Sequence, residues 1–283
     1  MESDKTNMEQ SNRHPDAIKY VRADRISTGD KEKSVEPENV RVVREAPVTI
    51  DVESVETYTL LCTPIDKRAL AVGFLLGEGV IESLADIKIL KVCDDDPGTV
   101  RVRLKSEIPR IGDSGRNLLI VSSCGACGSE NLQKRIDALP RVGDRLRFEA
   151  RLLRSVNEAL RERQSLFEIS GGTHAAAIFD ERGEIVSFAE DTGRHNALDK
   201  AIGKCLRNEI ATAGKGAALT SRLSLEMVSR CARAGIELIT AVSAPTSLAL
   251  DVANNCGITL CAFVRETRAT VFTHPARIIG LNK

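Results

Sequence analysis

With 283 residues, 42% of them apolar, the chain can bury a real core in one large domain or two modest ones. Forty basic and forty acidic residues cancel, and two tyrosines, seven phenylalanines and no tryptophan leave few rings for stacking, so neither nucleic acid nor an anionic membrane is an expected partner. No apolar run approaches the ~20 residues of a membrane helix and no secretory apolar core is present, so a cytoplasmic protein is expected.

Residues 1–38 are polar and charged, with little apolar periodicity, and read as a disordered tail. Residues 39–150 read as a small mixed α+β domain. Its expected strands are Val48 to Val52, Tyr58 to Cys62, Ile87 to Val92 and Thr99 to Leu104. Asp66 is placed to cap a helix through Ala69, Val72 and Leu76, broken by Gly77-Glu78-Gly79. Ser129 is placed to cap a short amphipathic helix over 130–139.

Residues 151–283 read as an α/β layered domain. A helix over 152–167 leads to a hairpin with strands 173–179 and 184–188. A further helix over 196–210, opened by Asp191 or Thr192, follows. Then strands 217–220, 236–242 and 258–264 alternate with helices 222–234 and 246–255, which implies parallel strands with right-handed crossovers. In such sheets ligands sit beyond the carboxyl ends of the strands. That singles out Thr220-Ser221-Arg222, the Ser243 to Ser247 segment, and Phe263, Val264, Arg265, Glu266, Thr267 and Arg268. Arg265 and Arg268 are the best anion ligands, because a guanidinium binds phosphate bidentately.

Of eight cysteines, only Cys124 and Cys127 form a close pair, within Ser122-Ser123-Cys124-Gly125-Ala126-Cys127-Gly128-Ser129. Small neighbours give a sulfur access to partners, and a following helix N-terminus favours thiolate. Cys62, Cys205, Cys231, Cys256 and Cys261 sit among apolar or helical neighbours as core residues. Two thiols complete a four-ligand structural zinc site only with a second copy of the chain, so a dimer-bridging zinc stays an alternative while no metal is assigned. A dithiol redox pair and a sulfur nucleophile or carrier remain as functional alternatives. A hydrolytic zinc deaminase is excluded, since His174-Ala175-Ala176 lacks the required glutamate and Ser123, not proline, precedes Cys124. The polar run Glu190 to Lys200 reads either as a capping cluster or as a site, with His195 shuttling protons and Arg194 binding an anion.

Five segments together resemble the formate dehydrogenase accessory sulfurtransferases, the FdhD/NarQ family. They are Ser122 to Gly128, Glu190 to Lys200, Ser224-Leu225-Glu226-Met227-Val228, Ser243 to Leu248 and Phe263-Val264-Arg265. The resemblance implies a homodimer with a cytidine-deaminase-like layered core that lacks the deaminase zinc site. It implies that the protein takes sulfur from a cysteine desulfurase, as a persulfide on Cys124. The sulfur would pass to the bis-molybdopterin guanine dinucleotide form of the molybdenum cofactor before insertion into formate dehydrogenase. Phe263 to Arg268 would hold part of that cofactor, and Cys127 would resolve the persulfide into a disulfide or hold Cys124 as thiolate. The alternative of a different class is a cofactor chaperone whose cysteines are structural.

Overall fold

A computed structural model describes residues 15–28, 35–105, 118–119, 133–134 and 136–280. Strands β1 (Ile18–Ile26) and β2 (Val35–Val43) form an antiparallel hairpin with Ile18 opposite Val43. This corrects the reading of residues 18–26 and 35–38 as disordered tail. The ladder satisfies the backbone of a segment that has little apolar surface to bury. Its root is fixed where Ala17 and Ile18 pack on Leu166.

Next come β3 (Ala46–Val52), β4 (Glu56–Cys62), helix α1 (Lys67–Glu78), β5 (Ile87–Val92), β6 (Thr99–Leu104) and β7 (Leu118–Leu119). The strands make a five-stranded sheet in the order β5-β6-β3-β4-β7. Its inward residues alternate, with Val48, Ile50, Val52, Tyr58, Leu60, Cys62, Val100 and Val102 all buried. Asp66 lies at the N-cap of α1 but in a left-handed conformation without a capping bond; its carboxylate pairs instead with Lys204 at 2.6 Å. The helix runs through Gly77 and ends at Gly79, whose φ of 75° suits glycine.

The second half contains β8 (Phe148–Glu149), α2 (Leu152–Glu162), α3 (Ser165–Ser170), β9 (His174–Phe179), β10 (Ile185–Asp191), α4 (Arg194–Arg207) and β11 (Gly216–Leu219). It continues with α5 (Leu225–Arg233), β12 (Leu238–Ala241), α6 (Ser247–Cys256), β13 (Thr259–Ala262), β14 (Thr270–Thr273) and β15 (Ile278–Ile279). The six-stranded sheet has the order β10-β9-β11-β12-β13-β14, with β11, β12 and β13 parallel and the outer pairs antiparallel. The mixed α/β class expected from the sequence is the one observed.

This sheet is buried on both faces, which explains its short, almost wholly apolar strands. On one face Ala176, Ile178, Ala217, Leu219, Ile239 and Leu260 share a core with α1, α4, α5, α6 and the inner face of the five-stranded sheet. On the other, Ala177, Phe179, Ala218, Leu238 and Cys261 pack against α2 and β8. The expected single helix over 152–167 is two pieces, α2 and α3. Helices α1 and α4 cross at backbone contact: a Cβ on Gly73 would lie 1.8 Å from the Asp199 carbonyl oxygen, and one on Gly203 would lie 1.9 Å from that of Ala69.

Candidate functional site

The carboxyl ends of β11, β12 and β13 open onto one edge of the six-stranded sheet. Antiparallel pairing brings the start of β9 and the end of β10 to the same edge, with His174 opposite Asp191. Thr220 ties them together, its hydroxyl accepting from the Ala175 N–H at 2.9 Å. Leu223 and Pro245 form a bridge, and Thr246 caps α6 by accepting from the Ala249 N–H at 3.3 Å. All three strand-end segments picked out from the sequence therefore share this edge.

The run Glu190 to Lys200 divides into two groups. The first is structural. Glu190 accepts from the Leu166 and Phe167 N–H groups, both at 2.9 Å, and so caps α3. Asp191 is fully buried and accepts from the Lys200 ammonium (2.5 Å), the Gly193 N–H (2.8 Å), the Asn196 amide (3.0 Å) and the Thr63 N–H (3.1 Å). Lys200, also fully buried, donates to the Thr63 carbonyl at 2.7 Å, locking the end of β4 to the end of β10. Asp199 pairs with Arg230 at 2.8 Å, and Arg230 reaches Glu78 at 3.0 Å. These residues are structural, but not as caps of α4, whose N-cap is Gly193 and neither Asp191 nor Thr192.

The second group is Arg194 and His195, in the first turn of α4. Among the described residues Arg194, half-buried, makes no hydrogen bond or ion pair. The His195 Nε2 is buried and has no partner. Burial, reinforced by the guanidinium groups of Arg230 and Arg194, pushes the His195 imidazole down to about 3, so it is neutral near pH 7. His174 is lowered too, by burial and then by Arg194. Sequence reasoning singled out these residues but could not separate them from their structural neighbours.

The segment after β13 is also divided. Phe263 is 39% exposed and adopts a φ of 53°, rare for a residue with a side chain, and its ring lies 6.1 Å from that of Phe272. Val264 is a core residue, 4% exposed. Arg265 donates to the carbonyls of Val242 at 2.6 Å and Val264 at 3.1 Å, so part of its guanidinium is committed to the backbone. Glu266, Thr267 and Arg268 are exposed. The segment can present Phe263, Arg268 and part of Arg265 to a ligand.

Cys124 and Cys127 lie outside the described residues. The helix expected after them is seen in part, with Gln133 and Lys134, and Ile136 and Asp137, helical and Gln133 bonded to Asp137 at 2.8 Å. Cys62, Cys205, Cys231, Cys256 and Cys261 are all buried, as expected. Burial raises each thiol, to about 12 for Cys62 and Cys261, which disfavours the thiolate form in all five.

Comparison with known proteins bears on the whole chain. The model of the FdhD/NarQ family matches residues 43–279. A sulfur carrier protein FdhD from Bordetella bronchiseptica is 38% identical over 240 residues, covering 84% of this chain and 87% of the relative. One from Saccharolobus solfataricus is 35% identical over 263 residues, covering 92% and 99%. Among solved structures, a proposed formate dehydrogenase accessory protein from Desulfotalea psychrophila superposes with a TM-score of 0.74 at 24% identity, covering 93% of this chain and all of that one. That likeness speaks for the fold. The family match runs from the root of the β1–β2 hairpin to β15 and takes in the polar strand-end edge, and on that ground this chain belongs to the FdhD/NarQ family.

Proposed function

We propose that this chain is a sulfur carrier in the maturation of formate dehydrogenase. Cys124 takes the outer sulfur of a cysteine desulfurase persulfide by thiolate attack, releasing the desulfurase thiolate, and becomes a persulfide itself. The sulfur is then delivered to the molybdenum cofactor in its bis-guanine-dinucleotide form, which is the substrate here. The strand-end edge holds that substrate, with Arg268, part of Arg265 and the Phe263 ring available for its phosphates and flat rings. A second copy of the chain completes a homodimer, and the protein works in the cytoplasm.

The observation that carries this reading is the kinship with sulfur carrier proteins along more than four-fifths of the chain. The thiols support it by elimination, since five of the remaining six are buried with raised pKa values. The test is complementation. In a bacterium deleted for its own family member, the wild-type chain restores formate dehydrogenase activity and Cys124→Ala does not. Full restoration by Cys124→Ala would favour a chaperone that carries the cofactor without handling sulfur. Full restoration by Cys127→Ala would remove Cys127 from the relay.

A further inference from the structure

Four of the six charged or imidazole-bearing side chains from Glu190 to Lys200 are accounted for by their surroundings, and two are left over. Glu190, Asp191, Asp199 and Lys200 are engaged with the protein, while the Arg194 guanidinium and the His195 Nε2 have no hydrogen-bond partner among the described residues. Buried polar groups are nearly always bonded, so an unpartnered buried ring nitrogen beside an unpaired guanidinium calls for an explanation. The two side chains are neighbours at the start of α4, and His174 joins them from the start of β9, within electrostatic range of both. The His174 side chain makes no hydrogen bond to any described residue. Arg230 lies behind His195 but is neutralised by Asp199 and Glu78. Glu226, exposed on the first turn of α5, is an acidic group that acts on both Arg194 and His195.

We propose that Arg194, His195 and His174 form an oxoanion subsite, separate from the Phe263 to Arg268 segment, that holds an anionic oxo- or sulfido-bearing group of the substrate. A neutral imidazole can donate from one ring nitrogen, and a free guanidinium supplies both charge and a donor fork. Resting on the function proposed above, that group is either the molybdenum end of the cofactor or one of its phosphates. Glu226 opposes the anion from the rim and sets a limit on its affinity.

The test is a titration of the full-length chain, labelled with ¹³C-histidine, with sodium tungstate and separately with inorganic phosphate, followed by NMR. His274, whose ring nitrogen already meets the Asn254 carbonyl at 3.1 Å on the opposite edge of the sheet, is the internal control. Saturable shifts are expected at His195 and His174 and not at His274. Arg194→Met is expected to weaken binding at least tenfold, and Glu226→Gln to tighten it severalfold. A stronger response to tungstate assigns the subsite to the metal end, and a stronger response to phosphate assigns it to a phosphate. Absence of shifts at His195 and His174 with both probes would overturn the proposal, as would unchanged binding in a folded Arg194→Met. If that variant does not fold, Glu226→Gln and the wild-type titration decide. Persulfide formation on Cys124 is independent of this readout, so either proposal can fail alone.

Discussion

Replacing Lys200 by Met tests how the structural half of the polar run supports the rest. In the wild type the Lys200 ammonium bonds Asp191 at 2.5 Å and the Thr63 carbonyl at 2.7 Å, with both ionic side chains fully buried. Methionine keeps most of the apolar stem, so packing changes little, but Asp191 is left as a buried carboxylate without a counter-charge. Breaking one partner of a buried pair costs about 3–5 kcal/mol. For a chain of this size that corresponds to a fall in Tm of roughly 6–20 °C. Asp191→Asn retains one acceptor oxygen but strands the ammonium, and the two changes combined are expected to cost less than their sum by about 1 kcal/mol or more. Thermal and urea denaturation followed by circular dichroism would measure all three variants. A Lys200→Met protein that melts within 2 °C of the wild type would refute the reasoning.

Two further predictions follow from local geometry. At the α1–α4 crossing, Gly203→Ala gains about 1 kcal/mol of helix propensity, but its Cβ would lie 1.9 Å from the Ala69 carbonyl oxygen. Backbone cannot turn aside as a side chain can, so the helices must part and a net loss of about 2 kcal/mol is expected. Denaturant midpoints would show it, and a stabilised variant would contradict the close crossing. His195 makes stability depend on acid. Its imidazole titrates near 6.5 in the unfolded chain and at about 3 in the folded one. Between those values the unfolded state binds a proton that the folded state does not, so stability is lost as the pH is lowered from 6.5 toward 3, by up to about 1.4 kcal/mol per unit. His195→Gln is expected to flatten the slope between pH 6 and 4, and equal slopes in the two proteins would place His195 in an ordinary solvated setting.

The alternation of strands and helices after residue 216 was legible because each strand is short, apolar and followed by a capped or glycine-ended helix. Gly235 and Gly257 end those helices in both sequence and structure, and Thr246 opens the second, while the first starts at Leu225, three residues later than expected. The hairpin at 18–43 was not legible. Its residues are largely exposed, so apolar periodicity carried no signal, and the ladder rests on backbone pairing and a small anchored root. Asp66 and Asp191 misled for a related reason. Both have the chemistry of helix caps, but tertiary lysines, Lys204 and Lys200, claim them. Val264 looked like part of a ligand loop because the loop begins at Phe263, yet strand alternation turns it back into the core. The strand-end edge itself was legible from topology alone. Which of its polar residues remain unpartnered was not, because that depends on contacts more than a hundred residues apart, such as Thr63 with Asp191.

The central claim is that sulfur is carried on Cys124, and mass spectrometry of the intact protein and its peptides tests it most directly. The wild type, Cys124→Ala and Cys127→Ala would each be incubated with a cysteine desulfurase and cysteine. One added sulfur on the peptide containing Cys124, present in the wild type and lost in Cys124→Ala, is the predicted result. A competent desulfurase that leaves both cysteines unmodified would contradict the account.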